Sequence, residues 1–331
     1  MSARALAAAD YAAVREAAGL IDRSDLGALE VTGRDRAAFL HAMLSNDVAA
    51  LAPGRGCAAS FLDVHGKVQV LLTVLALDDR LLVLTPPGMA AKTAEALDRY
   101  LFSEKAAFRD ATGERALLVL AGPRAPAIAE RLAGVAVPEG PWTHVAATLE
   151  GASVRLVQGA AETGGPEVWI IDGAGAAGRV RDAAVAAGAR PVTSAEALEA
   201  LRIEAGTPRY GLDVDGTVLL PEIPLEPFVS YTKGCYIGQE VVVRIRDRGH
   251  VNRHLRGLAL EGEAVPPPSA VVLAGADEVG RVTSAAWSPG RARPVALAFV
   301  RRQHAGAGTT VTVRWDGSEA AATVTALPMP R

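Results

Sequence analysis

Lys233-Gly234-Cys235-Tyr236-Ile237-Gly238-Gln239-Glu240 sets one of only two cysteines between two glycines, with a lysine two residues ahead of it. Gly234 and Gly238 permit backbone angles that other residues resist. A nearby ammonium favours the thiolate form of a cysteine. The residues that follow admit two readings. Val241-Val242-Val243 is a β-branched run and suits a strand. Helix is the stronger reading. Glu240, Arg244 and Arg248 follow an i,i+4 spacing with the acid on the N-terminal side. Val241, Val242 and Ile245 share one apolar face, and Gly249 stands where a C-terminal cap belongs. Cys235 then lies just before a helix N-terminus, whose partial positive charge also lowers a thiol pKa. The competing reading is a buried structural cysteine, the usual fate of an isolated one.

Beyond this stretch Arg244, Arg246, Arg248, Arg253 and Arg256 accumulate, with His250, His254 and the single acid Asp247. Three readings stay open: a solvated helix and loop, a landing strip for the polyglutamate tail of a folate, or a phosphate-binding patch for transfer RNA. No aromatics interleave with the arginines, as single-strand stacking would require.

From about residue 253 the chain reads as short strands separated by Gly, Pro and Asp turns. These are Gly257–Leu260, Val271–Leu273, Val279–Ser284, Val295–Val300, Thr310–Arg314 and Ala321–Ala326, a spacing typical of a small barrel or sandwich. Upstream, strands and helices mix. Helices are expected at 4–18, Gly33–Leu44, Met89–Phe102, Pro123–Leu132, Ala176–Ala187 and Ser194–Glu204. Strands are expected at Leu29–Thr32, Ala58–Leu62, Val68–Leu77, Leu81–Thr85, Leu117–Ala121, Val154–Val157 and Val168–Ile171. The pattern points to α+β subdomains instead of one doubly wound sheet.

Gly173-Ala174-Gly175-Ala176-Ala177-Gly178 follows a strand, opens a helix and satisfies GxGxxG. A dinucleotide fingerprint also needs a second parallel strand ending in an acid. Only Pro191-Val192 stands in that place, so the string reads as a helix entry in an Ala/Gly-rich chain.

The 331 residues suggest two or three domains, and half of them are apolar. A net charge of -3 excludes a global field toward nucleic acid or lipid. Two cysteines without a CxxC give neither a closed metal set nor a disulfide scaffold, so a reducing cytoplasm is the expected location. No metal site is expected from the scattered His41, His65, His144 and His304, and His41 reads as a surface or half-buried helix residue. The N-terminus lacks an unbroken apolar signal, and no apolar run reaches membrane-spanning length.

The octapeptide at 233–240 resembles the signature of the YgfZ family, folate-binding relatives of the glycine-cleavage aminomethyltransferases that are linked to iron–sulfur cluster maintenance. Ser45-Asn46-Asp47-Val48 with Leu51 and Pro53-Gly54 is similar to that family's early block. Leu201-Arg202-Ile203-Glu204-Ala205-Gly206 with Tyr210-Gly211-Leu212-Asp213 resembles a block shared with aminomethyltransferases, and Pro221-Glu222 precedes the signature. The resemblance implies an α+β fold of two intertwined subdomains (residues 1–250) followed by a C-terminal β-barrel (251–331). It implies a central site for tetrahydrofolate or a polyglutamylated derivative, held by Glu204, Arg202, Tyr210, Gln239 and Arg244. It also implies a working thiol on Cys235, tuned and oriented by Lys233 and Glu240, and iron–sulfur client enzymes as partners, including some that modify transfer RNA. The alternative reading of Glu204 is a helix-end acid paired with a nearby arginine.

One departure weighs against aminomethyl transfer. Members with that activity carry an acid just after the turn glycines of the early hairpin. Gly66-Lys67-Val68-Gln69-Val70-Leu71-Leu72 holds none, and the next acid is Asp78. General acid–base chemistry needs a titratable group within reach of the reacting atom.

Overall fold

The computed structural model describes residues 2–330, so Met1 and Arg331, the outer ends of the two expected units, lie outside it. Helix α1 (Ala3–Glu16) starts at Ser2, whose hydroxyl accepts from Ala5 N, and runs into strand β1 (Gly19–Asp22). The chain then builds a first sheet unit. It comprises β2 (Gly27–Thr32), α2 (Arg36–Met43), β3 (Gly56–Leu62), β4 (Val68–Ala76), β5 (Leu81–Thr85), α3 (Ala90–Asp98) and β6 (Ala107–Asp110). These strands form an antiparallel sheet in the order β3-β4-β5-β2-β6.

A second unit follows. It comprises β7 (Arg115–Ala121), α4 (Ala125–Ala133), β8 (His144–Leu149), β9 (Ala152–Gln158), β10 (Glu167–Gly173), α5 (Ala177–Ala186), β11 (Arg190–Pro191) and α6 (Ala195–Ala205). Its sheet has the order β11-β1-β7-β10-β9-β8. Strand β1 is thus spliced into the second sheet before the first sheet is made, pairing Gly19 with Ala121 on one side and with Arg190 on the other. That splice is the intertwining of the two α+β subdomains.

Helix α7 (Gln239–Arg248) leads to the barrel strands β12 (Arg253–Leu260), β13 (Val271–Ala274), β14 (Asp277–Ser288), β15 (Arg293–Arg301), β16 (Thr310–Trp315) and β17 (Ser318–Thr325). They close in the order β12-β15-β14-β13-β16-β17. The architecture is the α+β fold with a C-terminal β-barrel that the sequence implied.

Strand alternation sorts the cores. In β7, Leu117, Val119 and Ala121 face a central cluster, while Leu118 and Leu120 face α4 and α5. In β10, Trp169 and Ile171 face the centre, and Val168 and Ile170 face outward. In β4, Val68, Leu71 and Leu75 point inward, and Val70, Leu72 and Val74 pack toward α2 and α3. The central cluster also takes Tyr11, Trp142, Leu201, Ile203, Tyr236, Val242, Leu255 and Phe299, so every unit contributes to it. Each fully buried leucine, such as Leu75 or Leu118, contributes about 2 kcal/mol.

Some elements differ from expectation. The helix expected over Gly33–Leu44 begins only at Arg36, because Gly33 is left-handed (φ +97°) and turns the chain out of β2. The helix expected to reach Phe102 stops at Asp98, one residue after its last buried side chain, Leu97. β1, β6 and β8 are short or half-exposed strands that the apolar pattern did not mark. The GxGxxG segment opens α5, but β10 is antiparallel to both neighbours and β11 pairs only with β1. No parallel β-α-β crevice for a dinucleotide forms there. Among the described residues no helix is long and apolar enough to cross a membrane.

Candidate functional site

The cysteine loop is seated on the tip of the β3–β4 hairpin. In that tip Asp63 Oδ1 accepts from His65 N at 2.8 Å and from Lys67 N at 2.9 Å. Gly238 enters α7 in the left-handed region (φ +81°), and a Cβ there would lie 2.5 Å from Asp63 O. Gly66, also left-handed (φ +76°), is tight as well, with a Cβ there 3.0 Å from the Val241 side chain. Only glycine at both points lets hairpin and helix approach so closely. α7 forms as the sequence predicts. Gly249 ends it in an extended conformation, not the left-handed one a glycine cap usually adopts.

Lys233 anchors the loop from below. Its ammonium is buried and donates to His41 O and to Leu44 O (2.6 Å), two orphan carbonyls at the end of α2. It also lies 4.9 Å from the centre of the Tyr236 ring. Burial pulls its pKa down to about 8, opposed by Asp47, Cys57 and Cys235. Lys233 is therefore a structural pin as well as a charge near the thiol; the sequence reading gave it only the second part.

Cys235 is exposed and Cys57 half-buried, and neither is in a disulfide. Burial, with Asp47 adding, pushes the Cys57 thiol up to about 12. Cys57 stays protonated at neutral pH, which leaves Cys235 as the accessible sulfur. The neighbouring Tyr236 is 7% exposed, and its hydroxyl is buried with no hydrogen-bond partner among the described residues. A buried unpartnered hydroxyl costs about 1–3 kcal/mol unless something satisfies it.

Ser45-Asn46-Asp47 staples the same region. Ser45 Oγ donates to Phe228 O at 2.6 Å and accepts from Ser60 N at 2.8 Å. The Asn46 amide donates to Ala58 O at 2.7 Å and to Pro227 O at 3.2 Å.

Other sequence-selected residues lie elsewhere. Gln239 is half-buried at the start of α7, with Glu240 and Arg244 exposed beside it. The expected Glu240–Arg244–Arg248 chain does not form among the described residues. Arg246 instead pairs with Asp247 at 2.6 Å and stacks 4.4 Å over Tyr231. The arginine run is also divided. Arg253 grips Glu222 through two bonds of 3.1 and 3.0 Å and stacks on Phe299, while Arg256 donates to Ala305 O at 2.9 Å. Both belong to β12, so the run does not make one continuous basic patch.

Glu204 has both carboxylate oxygens engaged. Oε2 accepts from Arg15 Nη2 at 2.6 Å and Tyr11 Oη at 2.9 Å, and Oε1 accepts from Ser288 Oγ at 2.5 Å. It binds α6 to α1 and to β14. Arg202 donates to Asp213 Oδ2 at 2.6 Å and Thr207 O at 2.8 Å, and Asp213 in turn accepts from the Thr283 and Ser284 hydroxyls. This geometry is that of the helix-end acid paired with an arginine. Tyr210 lies half-buried just beyond α6, its phenol raised by burial.

Two features escaped the sequence reading. One is an acid pair at the entry to β10, Glu162 on the preceding loop and Glu167 at the strand's first residue. Glu167 is 1% exposed and accepts from Thr163 N (2.6 Å), Thr163 Oγ1 (2.6 Å) and Trp169 Nε1 (3.3 Å). Desolvation and then Glu167 push the Glu162 carboxyl up, opposed by Arg23 at 3.8 Å, and the side chain keeps 32% exposure. Trp169 meets Trp142 edge-on at 5.0 Å in the central cluster. The short spacing of the two acids in a Gly-rich loop was the available signal. The other is a cleft of about 460 Å³ between residues 212–218 and the barrel, bordered by Asp215, Thr217, Arg253, Arg281, Phe299 and Arg301. Cys235 does not border it. Among the described residues no group of three or more His, Cys, Asp or Glu side chains is placed to hold a metal ion.

Comparison with known proteins agrees with the architecture. Residues 1–233 match the GCVT N-terminal domain, and residues 253–329 match the glycine cleavage T-protein C-terminal barrel domain. The chain is 33% identical to a protein of Halobacterium salinarum named "Probable aminomethyltransferase", over 97% of this chain and 89% of the relative. It is 30% identical to an aminomethyltransferase of Streptomyces avermitilis, again over 97% and 89%. The crystal structure of glycine cleavage system aminomethyltransferase T from Bartonella henselae superposes with a TM-score of 0.86 over 98% of this chain and 89% of that one, at 23% identity. With both domains matched along nearly its whole length, the chain belongs to the glycine cleavage T-protein (GcvT) family.

Proposed function

We propose that this GcvT-family chain is a folate-binding protein of the YgfZ type, which acts through the thiol of Cys235 in the assembly or repair of iron–sulfur clusters. The observation that carries this reading is the placement of Cys235: exposed, on a loop clamped between a pinned lysine and a hairpin tip. Segment 234–252, which holds it, falls between the two stretches that match the family domains.

Folate binding follows in this reading from the GcvT family itself, and the buried, unpartnered hydroxyl of Tyr236, next to Cys235, is a polar group for a ligand to satisfy. Tetrahydrofolate, when bound, supplies a carrier for one-carbon units. The chain's own part is to hold the thiol accessible while Lys233 fixes the loop to α2. Cluster-bearing enzymes are the expected clients; Arg253 and Arg256 are engaged within the barrel, so any RNA contact would fall to the exposed Arg244, Arg246 and Arg248 on α7. Work in a reducing cytoplasm suits an exposed free thiol.

The test is Cys235→Ala in cells that lack the wild-type chain, assayed through a cluster-dependent enzyme. The variant should fold normally, because the side chain is exposed, and should lose most of the supported activity. Full activity would defeat the reading.

A second reading, aminomethyl transfer, has one observation in its favour besides the relatives' names. Glu162 is a partly exposed carboxyl whose hold on a proton is strengthened by desolvation and by Glu167 and weakened by Arg23 at 3.8 Å, the setting of a group that can exchange a proton with a substrate. Turnover of methylene-tetrahydrofolate by the purified protein, lost in Glu162→Gln, would establish it in place of the first.

A further inference from the structure

The cleft beside the barrel is built by strand register. Arg253 on β12 pairs directly with Arg301 on β15, and Phe299, two residues back on β15, pairs with Arg281 on β14. Paired residues of antiparallel strands point to one face, so these four side chains share the outer face of the barrel that looks toward residues 212–218. Phe299 and Val218 also belong to the central cluster that holds Tyr236, so the cleft backs onto the same core. Three arginines on neighbouring strands span two strand spacings, about 10 Å. Their charges are unequally met. Arg253 grips Glu222 through two bonds, and Arg281 lies 2.8 Å from Glu278 at the rim. Arg301 is exposed and stands directly opposite Arg253, yet among the described residues it has no carboxylate partner. Like charges directly opposite on a ladder repel. The acids of the cleft do not supply the missing charge. Asp213 is taken by Arg202, Thr283 and Ser284, and Asp215 Oδ1 accepts from Thr217 N at 2.8 Å and Thr217 Oγ1 at 2.6 Å.

We propose that this cleft holds a γ-linked oligoglutamate chain, the tail of a polyglutamylated folate, with Arg301 and Arg281 gripping successive carboxylates. An extended γ-linked chain repeats its carboxylate about every 6 Å, so two successive ones fit within the arginine span. The planar fork of arginine suits carboxylates, and Arg253 already shows that geometry on the cleft wall with Glu222. The methylenes between the carboxylates suit the apolar surface of Leu212 and Pro268, and an amide N–H of the chain can donate to Asp215. Of the arginine run at 244–256 only Arg253 lines the cleft. Its companions come from β14 and β15, so the run itself does not mark the site. The inference rests on reading the chain as a folate binder.

The test titrates the full-length protein by calorimetry, at low ionic strength, with tetrahydrofolate bearing one glutamate and with the same folate bearing five. Wild type should bind the pentaglutamate at least about tenfold more tightly. Arg301→Gln should remove most of that gain, and Arg281→Gln a smaller part, because Glu278 already holds that guanidinium. Arg302→Gln removes the same charge one residue away but outside the cleft, and should keep the gain. Equal affinity of wild type for the two folates overturns the proposal. An equal loss in Arg302→Gln also overturns it, since that marks a diffuse field and not a site. If neither folate binds, the folate reading falls, and free tetra-γ-glutamate becomes the probe. Peptide binding weakened in Arg301→Gln would support the cleft as an oligocarboxylate site, and no binding would overturn it. Pyrophosphate that displaces the tail as effectively as free tetra-γ-glutamate would assign the cleft to phosphates and overturn the ligand named here.

Discussion

Replacing Glu204 by Gln separates a structural acid from a ligand-binding one. The carboxylate sits at 6% exposure and accepts from Arg15, Tyr11 and Ser288. A glutamine keeps the shape. Its amide oxygen can still face Arg15 and Tyr11, and its amide N–H can turn to Ser288, whose hydroxyl can accept instead. What disappears is the charge opposite Arg15. Breaking a buried ion pair by removing one partner costs about 3–5 kcal/mol. The Arg15 side chain is 20% exposed, so water recovers part of that and the lower end applies, about 3 kcal/mol. For a chain of this length that is a fall of about 4 °C in the melting midpoint. Because Glu204 joins α1, α6 and β14, the loss should appear as earlier parting of the barrel from the central region, seen as a broadened calorimetric transition. Thermal unfolding and a tetrahydrofolate titration well below the midpoint, run side by side, make the assay. A midpoint within about 1 °C of wild type together with an affinity loss beyond about tenfold would refute the structural role and return Glu204 to the ligand.

Gly238→Ala should cost about 2 kcal/mol, from a left-handed alanine and its collision with Asp63 O, and should loosen the cysteine loop toward limited proteolysis. A denaturation midpoint unchanged from wild type would count against the clamp. His144 predicts a pH dependence. Its Nδ1 accepts from Arg155 at 2.8 Å and its Nε2 donates to Arg55 O at 3.2 Å, and burial, then Arg155, holds its pKa down to about 4 from the ordinary 6.5. The unfolded chain binds this proton near 6.5 and the folded one only near 4, so stability from this group is complete above 6.5 and declines as pH falls through that window, by up to about 3 kcal/mol. In His144→Gln the midpoint should vary less between pH 7 and 4.5; parallel curves for the two proteins would rule the assignment out.

Much of the fold was legible in local sequence. Leu81–Thr85 is found as read, because an unbroken apolar run closed by turn residues has few other uses. The barrel strands follow in the same way from alternation and Gly/Asp turns. Helix α7 was read correctly from its apolar face, although the i,i+4 ion pairs that supported the reading are not made. A helix needs only its buried stripe, and exposed charges stay free to pair elsewhere.

What the chain could not declare by itself is which distant groups meet. Glu204 is a good candidate ligand in sequence and a buried joint in three dimensions, because Arg15 and Ser288 come from remote parts of the chain. The end of α2 looked like an ordinary helix terminus until Lys233, almost two hundred positions away, tied the cysteine loop to its carbonyls. The splice of β1 into the second sheet belongs to the same class. Periodicity and turn chemistry act over a few residues and therefore decide helices, strands and turns from sequence alone. The pairing of buried charges and the exposure of one sulfur over another depend on contacts that exist only once the two sheets and the barrel have closed around a shared core.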